Sequence, residues 1–106
     1  HYPGLASHPH HARAKELFAG CGGMLAVAIR GSGDDAEAVM QRLTLPIVGP
    51  SLGGIESLVS RPAALSHVSL SPKERHALGI GDNLLRVSVG CEDLADLTAD
   101  FARALG

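Results

Sequence analysis

In two stretches of the chain a large aliphatic residue stands at every second position, and this period of two predicts β-strands. With two shorter extended segments, the predicted strands lie at residues 24–29, 57–60, 66–70 and 84–89. In the last strand Leu85, Val87 and Val89 share one face, and Arg86 lies on the opposite face. Residues 46–54 are rich in glycine and proline and are predicted to form a loop.

Apolar residues that recur every three or four positions predict three helices, and a helix-start motif at residues 71–74 predicts a fourth. The helices are expected at residues 9–19, from 34 or 35 to about 45, at 71–78, and from 92 or 93 to 105. Ser71 and Glu74 form a capping box with proline between them, and Ser7 is predicted to cap the first helix. The last helix is predicted to bury a stripe formed by Leu94, Leu97, Phe101 and Leu105.

Helices with one apolar face need a sheet to cover, so this order of elements predicts an α+β fold. We expect a two-layer sandwich, in which a small, mostly antiparallel sheet carries helices largely on one face. The 106 residues suit a single domain, residues 1–106. The opposite sheet face and the loop around Ser51 are expected to expose apolar surface, which favours contact with another domain or self-association.

Charge and composition exclude two classes of partner. The nine basic residues form no run and the net charge is −2, which argues against nucleic-acid binding. No apolar stretch approaches the roughly 20 residues that span a bilayer, so we expect no membrane partner. The chain begins with His1 rather than methionine, and we expect an upstream part.

Cys21 and Cys91 lie far apart in sequence and have no zinc-site spacing. We expect reduced, structural thiols in a cytoplasmic protein, although the sequence leaves a disulfide between them open.

Three motifs suggest chemistry that their context does not support. Residues 49–53 match the GxSxG pattern of a hydrolase nucleophile, but Pro50 precedes the serine and glycines follow it, which is a poor strand-to-helix turn. Residues 20–23 resemble a dinucleotide loop, but they follow a helix and precede a strand, the reverse of the required order. His8, His10 and His11 are candidate zinc ligands, but at most the first and last share a helix face, so we expect no metal site.

Arg86 is a candidate for binding a carboxylate. An arginine fixed on a strand can hold a carboxylate through two parallel hydrogen bonds. Taken alone, such an arginine is more often a solvated or ion-paired surface residue.

Seven segments, taken together and in order, resemble the C-terminal domain of the Cys/Met-metabolism (trans-sulfuration) family of pyridoxal-phosphate (PLP) enzymes. They cover residues 2–11, 22–24, 51–58, 61–63, 70–75, 78–80 and 84–93. The most informative are Ser-Leu-Gly-Gly at 51–54 and Leu-Arg-Val-Ser-Val-Gly at 85–90. Each segment is weak alone, and the complete series is specific.

The resemblance implies a function for two residues. Arg86 is similar to the family's arginine that binds the α-carboxylate of the substrate, and Ser51 to the serine that helps to hold that carboxylate and to orient the catalytic lysine. The substrate is expected to be cystathionine, methionine, cysteine or an O-acylhomoserine, processed by β- or γ-elimination or γ-replacement. The full-length protein is expected to bind PLP in an upstream domain and to form a homotetramer.

The family's catalytic and cofactor-binding residues are expected to lie upstream, and none is assigned to this chain. Lys15 and Lys73 are its two lysines, and neither lies in a motif that resembles the cofactor lysine. We therefore expect the chain alone to bind no PLP and to be inactive. The alternative is a stand-alone α+β interaction or regulatory module without catalysis.

Overall fold

The computed structural model describes all 106 residues as four helices, four short strands and one 3₁₀ turn. The elements are α1 (His11–Leu17), β1 (Met24–Ala28), α2 (Gly33–Arg42), β2 (Ile47–Val48), β3 (Leu58–Ser60), the 3₁₀ turn Pro62–Ala64, α3 (Pro72–Ala77), β4 (Leu84–Ser88) and α4 (Leu94–Leu105). None of the helices is both long and apolar enough to cross a membrane.

The four strands form one sheet in the order β1-β4-β3-β2. β4 pairs antiparallel with β1 on one side and with β3 on the other, whereas β2 and β3 run parallel. The sheet is therefore mixed. Arg86, the middle residue of β4, lies opposite Ala26 of β1 and Ser60 of β3, which fixes its backbone on both sides.

The core lies between the sheet and helices α2 and α4. Its members come from both helices and three strands or their ends: Ile29, Ala36, Val39, Met40, Leu43, Val59, Leu85, Val87 and Ala104. Leu85 and Val87 are both buried, as the period of two in β4 predicts. Val89 lies beyond the strand and is exposed, so the predicted apolar face is one residue shorter than expected.

Two predicted segments differ from the structure. The predicted loop 46–54 contains β2, which the Ile47 and Gly49 amides attach to the Ser57 and Val59 carbonyls at 2.8 and 3.0 Å. Both side chains of β2 are exposed, so no alternation marked it as a strand. Residues 66–70 form turns rather than a strand, because the His67 amide donates back to the Pro62 carbonyl and closes the chain locally.

The helix ends agree with the sequence in part. Ser71 and Glu74 form the predicted capping box, and Asp93 caps α4. The first helix begins at His11 and has no side-chain cap, so the prediction for Ser7 was wrong. A second capping box, which the sequence analysis missed, joins Ser32 and Asp35 at the start of α2.

The buried face of α4 is not the predicted stripe. Leu97 is buried and Phe101 is partly buried, but Leu94 and Leu105 are exposed. Asp100 and Ala104 are buried instead, three and seven positions after Leu97, which is ordinary helical spacing. The prediction went wrong because a buried carboxylate was not expected in an apolar stripe.

Replacing Ser32 with alanine is expected to lower the free energy of unfolding by about 1 kcal/mol. The Ser32 hydroxyl accepts from the Asp35 amide at 3.3 Å, so its loss leaves an amide of the first turn of α2 without a partner. Urea unfolding followed by circular dichroism measures the change. Ser7→Ala is the matched control: its side chain caps no helix and no change is expected. An equal loss in both variants would contradict the assignment of the cap.

Candidate functional site

The structure brings the two predicted site residues together. The Arg86 Nη2 group donates to the carbonyl oxygens of Pro50 and Ser51, at 2.8 Å in each case. Ser51 therefore contacts Arg86 through its backbone, and its hydroxyl lies in an exposed loop. Because β4 is paired on both sides, the arginine is presented from a rigid strand to a loop.

Arg86 differs from two comparable arginines in having no acidic partner. Its Nε atom is buried without a hydrogen-bond partner, as are those of Arg61 and Arg75. Arg61 forms a salt bridge with Glu37, and Arg75 forms one with Asp82. Arg86 contacts only neutral carbonyl oxygens, so its charge is not compensated. A guanidinium without an acidic partner favours the approach of a carboxylate, which can form charge-assisted hydrogen bonds with it.

The loop that contains Ser51 is held by the residues that follow Arg86 in sequence. The Gly53 amide donates to the buried Ser88 hydroxyl at 3.0 Å. The Gly90 amide donates to the Ser57 hydroxyl at 2.8 Å. We call residues 50–57 the anchored loop, because each of these bonds ties it to β4 or to the segment directly after β4.

The carboxylate of Glu92 holds the C-terminal end of the anchored loop. Glu92 accepts hydrogen bonds from the Ser57 amide at 2.6 Å and from the Ser57 hydroxyl at 2.8 Å. The backbone and hydroxyl donors of Ser57 hold the pKa of Glu92 below its usual value. Glu92 is therefore ionised at neutral pH and keeps both bonds to the anchored loop.

Gly90 permits the close approach of the anchored loop. A Cβ at this position would lie 2.4 Å from the Ile55 carbonyl oxygen and 2.5 Å from the Ser57 nitrogen. Both atoms belong to the backbone, so a side chain at residue 90 would displace the loop rather than a flexible side chain.

Gly90→Ala is therefore expected to destabilise the protein by about 2 kcal/mol, within the usual range for overpacking. The loop would have to move away from residue 90, and the backbone bonds that Arg86 makes to it would weaken. Thermal unfolding measures the first effect, and the NMR shifts of the Gly53 and Ser57 amides report the second. Gly54→Ala in the same loop is the control, because its Cβ would meet nothing closer than 3.9 Å. Unchanged amide shifts in Gly90→Ala would contradict this packing.

The rejected motifs stay without structural support. Ser51 is preceded by the two-residue strand β2 and no helix follows it directly, so the turn of a hydrolase nucleophile does not form. Residues 20–23 connect α1 to β1, as expected for a helix-to-strand turn. No group of three histidine, cysteine or acidic side chains is placed to hold a metal ion.

The cysteines and lysines lie outside this arrangement. Both cysteines are free; Cys21 is partly buried and Cys91 is exposed. The Cys91 backbone nonetheless takes part in the anchor, because its amide donates to the Ile55 carbonyl at 2.8 Å. Lys15 lies on α1 and Lys73 on α3, and both are exposed.

Sequence reasoning missed Ser57, Ser88, Gly90 and Glu92 as supports of the site. One signal was present: residues 86, 88, 90 and 92 follow a spacing of two, so an extended chain turns them to the same side. Three of their hydrogen bonds use main-chain amides, which the sequence does not reveal.

Comparison with known proteins finds matches over nearly the whole chain. Residues 1–106 match the family described as Cys/Met metabolism PLP-dependent enzyme. Over 104 residues the chain is 44% identical to a cystathionine gamma-lyase of Dictyostelium discoideum and 48% identical to that of Mus musculus. These alignments cover 98% of this chain but 27% and 26% of the relatives. The chain therefore spans about a quarter of the length of the curated relatives it matches.

Two solved structures are similar to nearly the whole of this chain. A cystathione gamma lyase from Micromonospora echinospora superposes with a TM-score of 0.91 at 45% identity, over 99% of this chain and 27% of that one. A cystathionine gamma synthase from Xanthomonas oryzae pv. oryzae, solved in complex with cystathionine, also gives a TM-score of 0.91, at 38% identity, over 98% of this chain and 27% of that one.

Proposed function

This chain belongs to the Cys/Met metabolism family of PLP-dependent enzymes, and we propose that it is the substrate-carboxylate-binding, C-terminal domain of such an enzyme. The full-length enzyme acts as a carbon–sulfur lyase or transferase on a sulfur amino acid or a homoserine ester. The reaction is β- or γ-elimination or γ-replacement. The relatives include proteins named as cystathionine lyases and a cystathionine synthase, which supports this substrate class.

The observation that carries the proposal is the uncompensated charge of Arg86 beside the anchored loop. The Nη2 group is occupied by the Pro50 and Ser51 carbonyls. Nη1 takes part in no hydrogen bond and is available to a substrate carboxylate, whereas Nε is buried. The two carbonyls fix the guanidinium plane before substrate arrives, so little orientation is lost on binding. Ser51 assists by holding this plane through its backbone, and its exposed hydroxyl is available to the same carboxylate.

Fixing the α-carboxylate determines how the rest of the amino acid is presented. With one end clamped to a rigid strand, the bond to be broken has a defined orientation, and this orientation contributes to the rate. PLP, when bound, supplies an electron sink for the carbanion at the substrate α-carbon.

The lysine that binds PLP is proposed to lie in another part of the enzyme. A lysine that forms an imine with a cofactor needs a desolvated or charge-tuned environment that lowers its pKa. Lys15 and Lys73 are both exposed, and neither makes a hydrogen bond or a salt bridge with the anchored loop. The residues of this chain therefore do not fit PLP binding, and no chemical step is assigned to them.

The shape of the chain also supports a role as one layer of a larger protein. In this proposal the domain is a two-layer sandwich, and the sheet face that carries Arg86 meets an upstream PLP-binding domain. The anchored loop exposes Leu52 and Ile55, of which Ile55 is 79% exposed. Covering such side chains is favourable. The full-length enzyme is proposed to be a cytoplasmic homotetramer.

Activity assays on two lengths of the protein test this proposal. The 106-residue chain and the longer natural protein would each be supplied with PLP and with cystathionine or an O-acylhomoserine. The expected result is turnover by the longer protein alone. Turnover by the 106-residue chain would contradict the proposal that the cofactor-binding residues lie outside it. The absence of turnover with every substrate in the longer protein would contradict the proposed function.

A further inference from the structure

The outer edge of β1 already carries the start of another strand. In β1 the odd-numbered residues face β4, as the bonds of Ile29 and Gly23 with Asn83 and Val89 show for the two ends of the ladder. The even-numbered residues therefore direct their backbone groups to the open edge. There the Ala26 amide donates to the His1 carbonyl at 3.1 Å, and the His1 nitrogen donates to the Ala26 carbonyl at 2.6 Å.

This exchange of two bonds defines an antiparallel pair. In that register, the second position before His1 would lie opposite Ala28. Ala28 is exposed, and β1 has no neighbouring strand on this side. An open edge of this kind is a site for pairing with another strand.

An apolar groove lies beside the same edge, on the helix-bearing face of the sheet. It has a volume of about 460 Å³, and Leu25 and Val27 of β1 line it together with Leu94, Phe101 and Leu105 of α4. Leu94 is 78% exposed, although it lies on the helix that covers the core. Along α4 the groove spans about 11 residues, or roughly 17 Å, a length that a helix of three turns would cover.

We propose that the polypeptide preceding His1 in the longer enzyme occupies both features. It continues the His1 pairing as a strand along β1, and the segment that leads into this strand fills the groove beside α4. This inference rests on the proposed function, which makes the chain part of a longer enzyme. The polypeptide that precedes His1 is favoured over a second copy of the chain, because it is continuous with a residue that is already paired with β1. A strand from another copy would have to displace His1.

Hydrogen exchange at single amides tests the inference. The Ala28 amide is expected to exchange freely in the 106-residue chain and at least about 100-fold more slowly in the protein that carries its natural N-terminal extension. The Val27 amide, which faces β4, is the internal control and is expected to be protected in both. The dye 1-anilinonaphthalene-8-sulfonate probes the groove: the 106-residue chain is expected to bind it and the extended protein is not.

Ala28→Pro in the extended protein provides a second variant. Proline removes an amide that points away from β4, so the β1–β4 ladder is kept while strand addition is blocked. Dye binding is expected to return in this variant, with an unchanged far-ultraviolet spectrum of the core.

The outcomes separate this inference from the proposed function. An active extended protein whose Ala28 amide exchanges as fast as in the 106-residue chain would overturn the inference alone. Protection of Ala28 that rises with the concentration of the 106-residue chain would also overturn it, because a second copy would then be the occupant. Slow exchange at Ala28 in an inactive extended protein would support the inference and contradict the function.

Discussion

Replacing Arg86 with alanine in the full-length enzyme is expected to lower kcat/KM about 1000-fold, with most of the loss in KM. Two charge-assisted hydrogen bonds to a carboxylate contribute about 4 kcal/mol together, and about 1.4 kcal/mol corresponds to a factor of ten. The loss appears mainly in KM because the carboxylate is bound in the ground state as well as in the transition state.

A conservative variant distinguishes the geometry of Arg86 from its charge. Lysine keeps the charge but lacks the planar fork, and it cannot bind both carbonyls and a carboxylate in the same arrangement. Arg86→Lys is therefore expected to recover only about tenfold of the loss. Arg30→Ala, at an exposed arginine outside the site, is the matched control and is expected to leave the kinetics unchanged.

A substrate analogue without the carboxylate tests whether Arg86 acts on that group. When the α-carboxylate is replaced by a carboxamide, the wild-type enzyme and Arg86→Ala are expected to have similar kcat/KM values. If Arg86→Ala still loses two or three orders of magnitude with the carboxamide, the arginine acts on some other part of the reaction.

Replacing Asp100 with alanine is expected to lower the free energy of unfolding by about 3 kcal/mol, the largest effect on stability outside the apolar core. Asp100 is only 5% exposed. Its carboxylate accepts from the Thr44 amide at 2.9 Å, the Thr44 hydroxyl at 2.8 Å and the Leu45 amide at 2.9 Å, and it pairs with Arg103. Without the carboxylate, the turn after α2 would lose the group that ties it to α4.

Urea unfolding at neutral pH measures this loss. Asp96→Ala is the matched control, because Asp96 lies on the same helix but is exposed and contributes only through the helix dipole, about 0.5 kcal/mol. Equal losses in the two variants would show that the buried network contributes nothing beyond ordinary helix electrostatics.

Protonation of the Asp100 carboxylate is expected to make the stability of the protein depend on pH. Burial alone would raise the pKa of Asp100, but the donors from Leu45, Thr44 and Arg103 outweigh it and hold this pKa well below its usual range. Because the pKa is lower in the folded state, the stabilisation is complete above the ordinary pKa of about 4 and is lost progressively as the pH falls further. The acid-induced loss of stability is expected to be smaller in Asp100→Asn than in the wild type. Identical pH profiles would contradict this role.

Much of the fold could be predicted from sequence, because the relevant signals are local. The strand residues Leu85 and Val87 alternate with polar neighbours and are buried, and the capping box at Ser71 is visible from residue types alone. The strand β2 was missed because it consists of two exposed residues that pair through the backbone. The buried face of α4 was misassigned because Asp100 is buried only by virtue of partners some 55 residues away.

The candidate site was predicted from motifs, and its geometry was not. Arg86 and Ser51 were singled out by resemblance, and the structure places them in contact. The contact uses the Ser51 carbonyl, and no sequence pattern specifies a backbone oxygen. The support from Ser88 and Gly90 likewise depends on how a loop folds against the end of β4, which is decided by tertiary packing.

A titration of the purified 106-residue chain with PLP is the most direct test of the proposed division between the two parts of the enzyme, in which the cofactor is anchored outside this chain. The visible absorption of the cofactor would be followed to saturation, and the mass of the chain would be determined after borohydride reduction. This arrangement predicts no saturable band and no stoichiometric label on Lys15 or Lys73. A saturable band with one labelled lysine would contradict it, because the cofactor would then have its own site within these 106 residues.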